Sequence, residues 1–147
     1  MGISIICLGK TKEGYIRDGI QEFLKRLNGQ VKIEEYAEEK GREVSENLKK
    51  EGDRLIRHMQ KGYGIALDER GKQMTSLEFA AFLKKHEMEQ LVLVIGSAEG
   101  LSDAVRKEAK ETIAIGKMTW THQMVRLLLL EQIYRGTCIN KGIPYHR

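Results

Sequence analysis

Leu91-Val92-Leu93-Val94-Ile95 is an unbroken apolar run, rich in β-branched residues, that stops at Gly96-Ser97-Ala98-Glu99-Gly100. A run of that length without polar alternation reads as a strand covered on both faces, the position of an interior strand in a parallel sheet with helices on either side. The remaining chain fits this requirement. Ile3–Leu8 reads as a first buried strand, and Val31, Ile33 and Tyr36 mark a second. Residues 64–67 form a third that stops at the turn-like Asp68-Glu69-Arg70-Gly71, and residues 112–115 form a last short one.

Between these runs apolar residues recur at helical spacing. Ile16, Ile20, Phe23, Leu24 and Leu27 define a helix ending near Asn28-Gly29, while Val44, Leu48, Leu55, Ile56 and Met59 form the apolar stripe of a second, otherwise solvated helix. Thr75 and Glu78 have the spacing of a capping box for a helix through Phe82 and Leu83. Ser102 caps a further helix, and Thr121 caps a final one running to about Cys138. The expected fold class is α/β, a mainly parallel sheet flanked by helices. With 147 residues and no linker, repeat or low-complexity stretch, residues 1–147 are expected to form a single domain.

Charge narrows the partners. The chain has 25 Lys and Arg against 21 Asp and Glu, a net +4. From Gly116 onward there are five basic residues and Glu131 alone, so the first 115 residues hold 20 of each sign and are neutral. A modest, localised excess suits a polyanion partner but is not a polybasic composition. Cys7 and Cys138 have no metal-ligand spacing and form no disulfide framework, so a reducing cytoplasm is expected. The N-terminal apolar run lacks a basic leader and residues 127–130 are too short for a membrane span, which leads to the expectation of a soluble protein with no membrane partner and no structural metal.

In open α/β sheets ligands bind beyond the carboxyl ends of the strands. Three segments end at such an edge: Leu67-Asp68, the 96–100 loop, and the 116–121 loop. Side by side they would form one pocket, although Gly96 and Gly100 equally suit tight turns without a ligand. Neither a dinucleotide fingerprint nor a P-loop is present. The segment Gly116-Lys117-Met118-Thr119-Trp120-Thr121-His122 carries the single Trp of the chain beside a Lys and a His, a combination suited to base stacking and phosphate contact or to anchoring the loop on the core. His122 and Arg126 lie one helical turn apart, ahead of Leu127-Leu128-Leu129-Leu130. A helix so apolar needs cover on two sides, which points to a homodimer. The chain closes on Tyr145-His146-Arg147, whose phenol, imidazole and guanidinium suit either RNA contact and proton handling or a disordered end.

Together, Leu67-Asp68-x-x-Gly71-Lys72, the I-G-x-x-x-G-L run over 95–101, Lys117-Met118-Thr119-x-x-His122-x-x-x-Arg126, Glu131-Gln132-x-Tyr134-Arg135 and Tyr145-His146 resemble the RlmH family of small SPOUT-class methyltransferases. The likeness runs the length of the chain in order. It implies a homodimer with a trefoil knot near the C-terminus, S-adenosylmethionine as cofactor, and a pseudouridine of the 23S ribosomal RNA as substrate, methylated at N3. It implies cofactor contacts at Leu67, Gly96, Ile115, Gly116, Lys117, Met118, Thr119 and Trp120. On the substrate side it implies His122, Arg126, Tyr145 and His146 as catalytic candidates, with Arg126 and Arg147 as substrate-binding residues and the tail reaching the partner's pocket. His122 or His146 is the expected base for the N3 proton, with the carboxylate of Glu99 as the other candidate. Ser97 stands where the family usually has a second glycine, so a positive φ there would strain the loop. Rival readings are a SPOUT enzyme acting on transfer RNA, a non-catalytic dimeric RNA-binding ribosome-assembly factor, and a flavodoxin-like nucleotide binder.

Overall fold

The computed structural model describes residues 2–147. The elements are β1 (Ile3–Leu8), α1 (Gly14–Leu27), β2 (Val31–Tyr36), α2 (Val44–Met59), β3 (Tyr63–Gln73), α3 (Ser76–Lys85), β4 (Leu91–Ile95), α4 (Asp103–Glu108), β5 (Glu111–Ala114) and α5 (His122–Lys141). They build one sheet in the order β2-β1-β4-β3-β5, with every pairing parallel. The apolar run of β4 occupies the middle of the sheet and all five of its residues are buried.

Alternation along the strands sends side chains to two cores. Ile5, Cys7, Ile65, Leu67, Leu91, Leu93 and Ile95 face the layer of α1, α3 and α5, where they meet Ile16, Phe79, Leu129 and Ile133. Ile6, Leu8, Ala66, Val92 and Val94 face α2 and α4, where they meet Leu55, Met59 and Val105. Each such aliphatic side chain, fully removed from water, contributes about 1.5–3 kcal/mol before entropy is counted. Both cysteines are buried and free, and burial pushes the Cys7 thiol pKa up to about 12.

Local chemistry sets the ends of the helices. Asn28 closes α1 in the left-handed conformation. Thr75 and Glu78 form the reciprocal capping box of α3, and Ser102 and Thr121 each accept a backbone N–H at the start of α4 and α5. The final helix outruns the expected end near Cys138, stopping at Gly142 with φ 71°.

β3 departs from expectation. It does not stop at Asp68: its ladder with β5 breaks after Leu67 and resumes at Lys72, so residues 68–71 bulge out of a continuing strand. Asp68 accepts the backbone N–H of Arg70 at 2.9 Å, which makes the local turn that the sequence announced. The strand continues because Gly71 lies against β5, where a Cβ would fall 2.6 Å from the Thr112 carbonyl carbon and from the Ile113 nitrogen. β5 itself is placed one residue earlier than the expected 112–115.

Candidate functional site

β4, β3 and β5 are neighbours in the sheet, so their carboxyl ends lie together and the three segments picked out from the sequence converge. The result is a cleft of about 290 Å³. Leu67 and the bulge line it from β3, the 96–101 loop from β4, and the stretch from Ile115 to Trp120 from the loop after β5. Of the eight residues expected to hold a cofactor, seven line this cleft: Leu67, Gly96, Ile115, Gly116, Met118, Thr119 and Trp120. Lys117 is exposed and lies outside the lining.

The geometry of the 96–101 loop explains its glycines. The chain folds back so tightly that a Cβ on Gly96 would sit 2.4 Å from the Gly100 carbonyl oxygen, and Gly100 has φ +85°. Ser97 has no positive φ and carries no strain of that kind. Its hydroxyl instead donates to Glu51 Oε1 at 3.0 Å, and Glu51 Oε2 accepts the backbone N–H of Glu39 at 2.9 Å. Glu51, 3% exposed, thus ties the loop to α2 from below. The periodicity contained a sign of this residue, since Glu51 falls on the apolar stripe between Leu48 and Leu55.

Arg106 binds the other wall, donating to Asp68 Oδ2 at 3.0 Å and to the Leu101 carbonyl at 2.8 Å, with Asp103 as a further partner. Neither Glu51 nor Arg106 belongs to the pattern that located the site, because the partners that tie them to it, Ser97 and Asp68, are distant in sequence. On the far side Thr119 donates to Glu69 at 2.9 Å, and the Trp120 indole N–H donates to the Ile115 carbonyl at 2.9 Å. The indole therefore anchors its loop, yet it remains 42% exposed, and Met118 is 74% exposed. Glu99 also lines the cleft.

The catalytic candidates divide into three places. His122 opens α5 and lines the cleft, half-buried, with its pKa lowered by burial and by the nearby Arg126 charge. Arg126, one turn on, is 0% exposed and lies behind the cleft rather than in it. Its guanidinium donates to Thr11 Oγ1 at 2.8 Å, Glu35 Oε2 at 3.1 Å and the Leu8 carbonyl at 2.8 Å, while its Nε is buried without a partner. The group expected to hold phosphate is occupied in locking α5 to the ends of β1 and β2.

The tail folds back on α5. Tyr145 donates to Glu131 Oε2 at 2.7 Å, lies edge-on to Tyr134, and sits under the Arg135 guanidinium at 4.8 Å. His146 Nδ1 is 3.1 Å from Arg135, and His146 and Arg147 are exposed. Burial opposes ionisation of Glu131, but hydrogen bonds from Arg135 and Tyr145 outweigh it and hold the carboxyl below its ordinary pKa. Glu131 lies six positions beyond Val125, the last residue of α5 in the cleft lining, so the tail's anchor stands about 9 Å further along the axis at 1.5 Å per residue. Among the described residues no three of His, Cys, Asp and Glu converge as a metal site, and no helix is long and apolar enough to cross a membrane.

Comparison with known proteins agrees with this architecture. Residues 1–146 match the family described as predicted SPOUT methyltransferase. The ribosomal RNA large subunit methyltransferase H of Geotalea daltonii is 43% identical over 152 residues, covering 99% of both chains. The protein of the same name from Lacticaseibacillus casei is 45% identical over 159 residues, covering both chains completely. Among solved structures, a probable methylase family protein from Haemophilus influenzae superposes with a TM-score of 0.60 at 9% identity, over 99% of this chain and 70% of that one. The tRNA (m1G37) methyltransferase of Aquifex aeolicus superposes with a TM-score of 0.56 at 15% identity, over 92% and 70%. At those identities the likeness speaks for the fold.

Proposed function

The chain belongs to the SPOUT methyltransferase family, and on that premise we propose that it moves a methyl group from S-adenosylmethionine to N3 of a pseudouridine in 23S ribosomal RNA. The carrying observation is the convergence of Leu67, Gly96, the loop over 115–120 and His122 in one cleft at three adjacent strand ends. Relatives matching along the whole chain bear the name of a large-subunit ribosomal RNA methyltransferase, which favours ribosomal over transfer RNA.

The lining fits the cofactor. An adenine needs apolar walls and backbone hydrogen-bonding groups, which Leu67, Ile95, Ile113 and the two glycine-bearing loops offer, and the carboxylate of Glu69 suits a sulfonium cation. Leu67, Gly96, Ile115, Gly116, Met118, Thr119 and Trp120 would hold it, with Lys117 at the rim. When bound, it supplies an electrophilic methyl carbon on sulfur. The protein's part is to align N3 with that carbon and to take the N3 proton. His122 is the base this geometry favours: it lines the cleft, and burial with the Arg126 charge keeps it neutral. Arg126, buried against Thr11, Glu35 and the Leu8 carbonyl, acts on that histidine through its charge, so phosphate contact falls to Arg147 and Lys117.

The reading includes a homodimer of single-domain chains with the C-terminal trefoil knot, working in the cytoplasm. Because the tail is anchored at Glu131, about 9 Å along α5 beyond Val125 at the end of its own cleft, a second copy supplies the tail that completes each site. Calorimetric titration with S-adenosylmethionine separates the enzyme from an RNA-binding assembly factor. Saturable binding, weakened at least tenfold by Gly96→Ala, is the expected result; a flat titration at millimolar cofactor would remove the catalytic reading.

A further inference from the structure

On the face of the sheet opposite α5, the end of β2, β1 and the C-terminal half of α2 enclose a second concavity of about 300 Å³ that shares no residue with the cleft. Its floor is aliphatic and its rim is Tyr36, Arg54, Arg57, His58 and Lys61. The stretch Arg54-Leu55-Ile56-Arg57-His58-Met59-Gln60-Lys61 contains no acid, whereas residues 44–53 of α2 carry Glu46, Glu51 and Asp53 alongside Lys49 and Lys50. The positive charge of α2 is therefore unopposed within the helix only at its C-terminal end, which lies at this concavity.

Arg54 is fixed there by Glu39 at 3.4 Å and by donation to the Ala37 carbonyl at 2.6 Å. Arg57 and Lys61, both exposed, form no ion pair among the described residues. Beside them the Tyr36 and His58 rings pack in a tilted pair, with centroids 4.8 Å apart and an interplanar angle of 39°. Burial and the charges of Lys61, Arg57 and Arg54, against the opposing pull of Glu34, lower the His58 pKa, so this ring offers a neutral stacking surface rather than another charge. Unpaired cations next to an exposed aromatic ledge are the combination that single-stranded RNA uses: phosphates meet the cations and an unstacked base lies on the rings.

We propose that this concavity is a second RNA-binding site, in which Arg57 and Lys61 take backbone phosphates and the Tyr36–His58 ledge takes one unpaired base. The proposal rests on the reading that the substrate is ribosomal RNA. It gives the chain a second grip, on the helical layer remote from α5.

The test uses the full-length protein with Arg57→Gln/Lys61→Gln, at two exposed positions outside the cleft, and separately Tyr36→Ala. Fluorescence anisotropy follows binding to a labelled ten-nucleotide oligouridylate and to unmodified ribosomes across a salt series. The double variant should weaken both by about tenfold and reduce the salt slope by roughly 1.4, two phosphate contacts at about 0.7 each. Tyr36→Ala should weaken binding at an unchanged slope. S-adenosylmethionine affinity and the rate at saturating ribosomes should stay at wild-type values, with KM for ribosomes raised. Wild-type affinity and slope in the double variant would overturn the proposal. So would loss of binding to labelled polyglutamate with ribosome binding intact, which would assign the concavity to an acidic protein. If wild type itself methylated no RNA, the functional reading would fail instead, a result distinguishable from an active enzyme whose variant behaves normally.

Discussion

His122 and Arg126 are one turn apart on α5 yet play different parts, and the difference lies in what each buries. The imidazole lines the cleft with its pKa held below the ordinary value of 6.5. A folded-state pKa below the unfolded one means that the unfolded chain binds more protons, so stability tied to this residue is present above about pH 6.5 and is lost as pH falls through the lowered value. The same shift favours the neutral form of the base. His122→Gln should lower the single-turnover rate by about 10²–10⁴ and flatten the acidic limb of a pH 5–8 profile. If His122→Gln and His146→Ala both retained wild-type rates, the histidine-base assignment would be abandoned. Arg126→Met takes the guanidinium donor from the Leu8 carbonyl and the paired cation from Glu35, which keeps only the Thr11 N–H and hydroxyl. Because the Glu35 side chain is 34% exposed, solvent softens the loss to the low end of the range for a broken buried pair, about 3 kcal/mol by urea denaturation. Ser97→Ala should cost about 1–3 kcal/mol in the same assay, since it strands Glu51 Oε1 in the interior. Spacing placed His122 and Arg126 on one helical face, but spacing does not say which of two neighbours points at a cleft and which into a core.

At the scale of elements, period and capping chemistry were legible: β1 matched its expected bounds, and Thr75, Ser102 and Thr121 cap the helices they were expected to start. β3 was misjudged, because Asp68-Glu69-Arg70-Gly71 carries real turn chemistry and only the tertiary contact of Gly71 with β5 returns the chain to the ladder. That contact makes Gly71 the joint between the bulge lining the cleft and the edge strand. Gly71→Ala should lower Tm and weaken S-adenosylmethionine binding together, because β5 must shift and carries the loop over 115–120 with it. Gly100→Ala, with open space around its Cβ position but φ +85°, should show only the backbone strain, about 1–2 kcal/mol.

For the whole molecule, the order β2-β1-β4-β3-β5 could not be read from the sequence, since periodicity identifies strands without naming their neighbours. Its consequence was anticipated: the strand ends at Leu67-Asp68, at 96–100 and at 116–121 meet. The separation of His122 from the tail was not, because it depends on the length of α5 and on Glu131, Tyr134 and Arg135 drawing the tail back. A composite dimeric site makes a specific prediction. Mixing inactive His122→Gln chains with inactive chains lacking residues 145–147 should restore activity, since each mixed dimer has one site with both parts intact; no recovery would place the tail in its own chain's cleft. The central claim is tested most directly by incubating the protein with tritiated S-adenosylmethionine and unmodified ribosomes, separated subunits, naked 23S RNA or transfer RNA, then analysing the nucleosides by mass spectrometry. The account predicts one methyl group per large-subunit RNA, recovered as N3-methylpseudouridine and absent from transfer RNA. No incorporation into any ribosomal substrate, or methylation confined to transfer RNA, would contradict it.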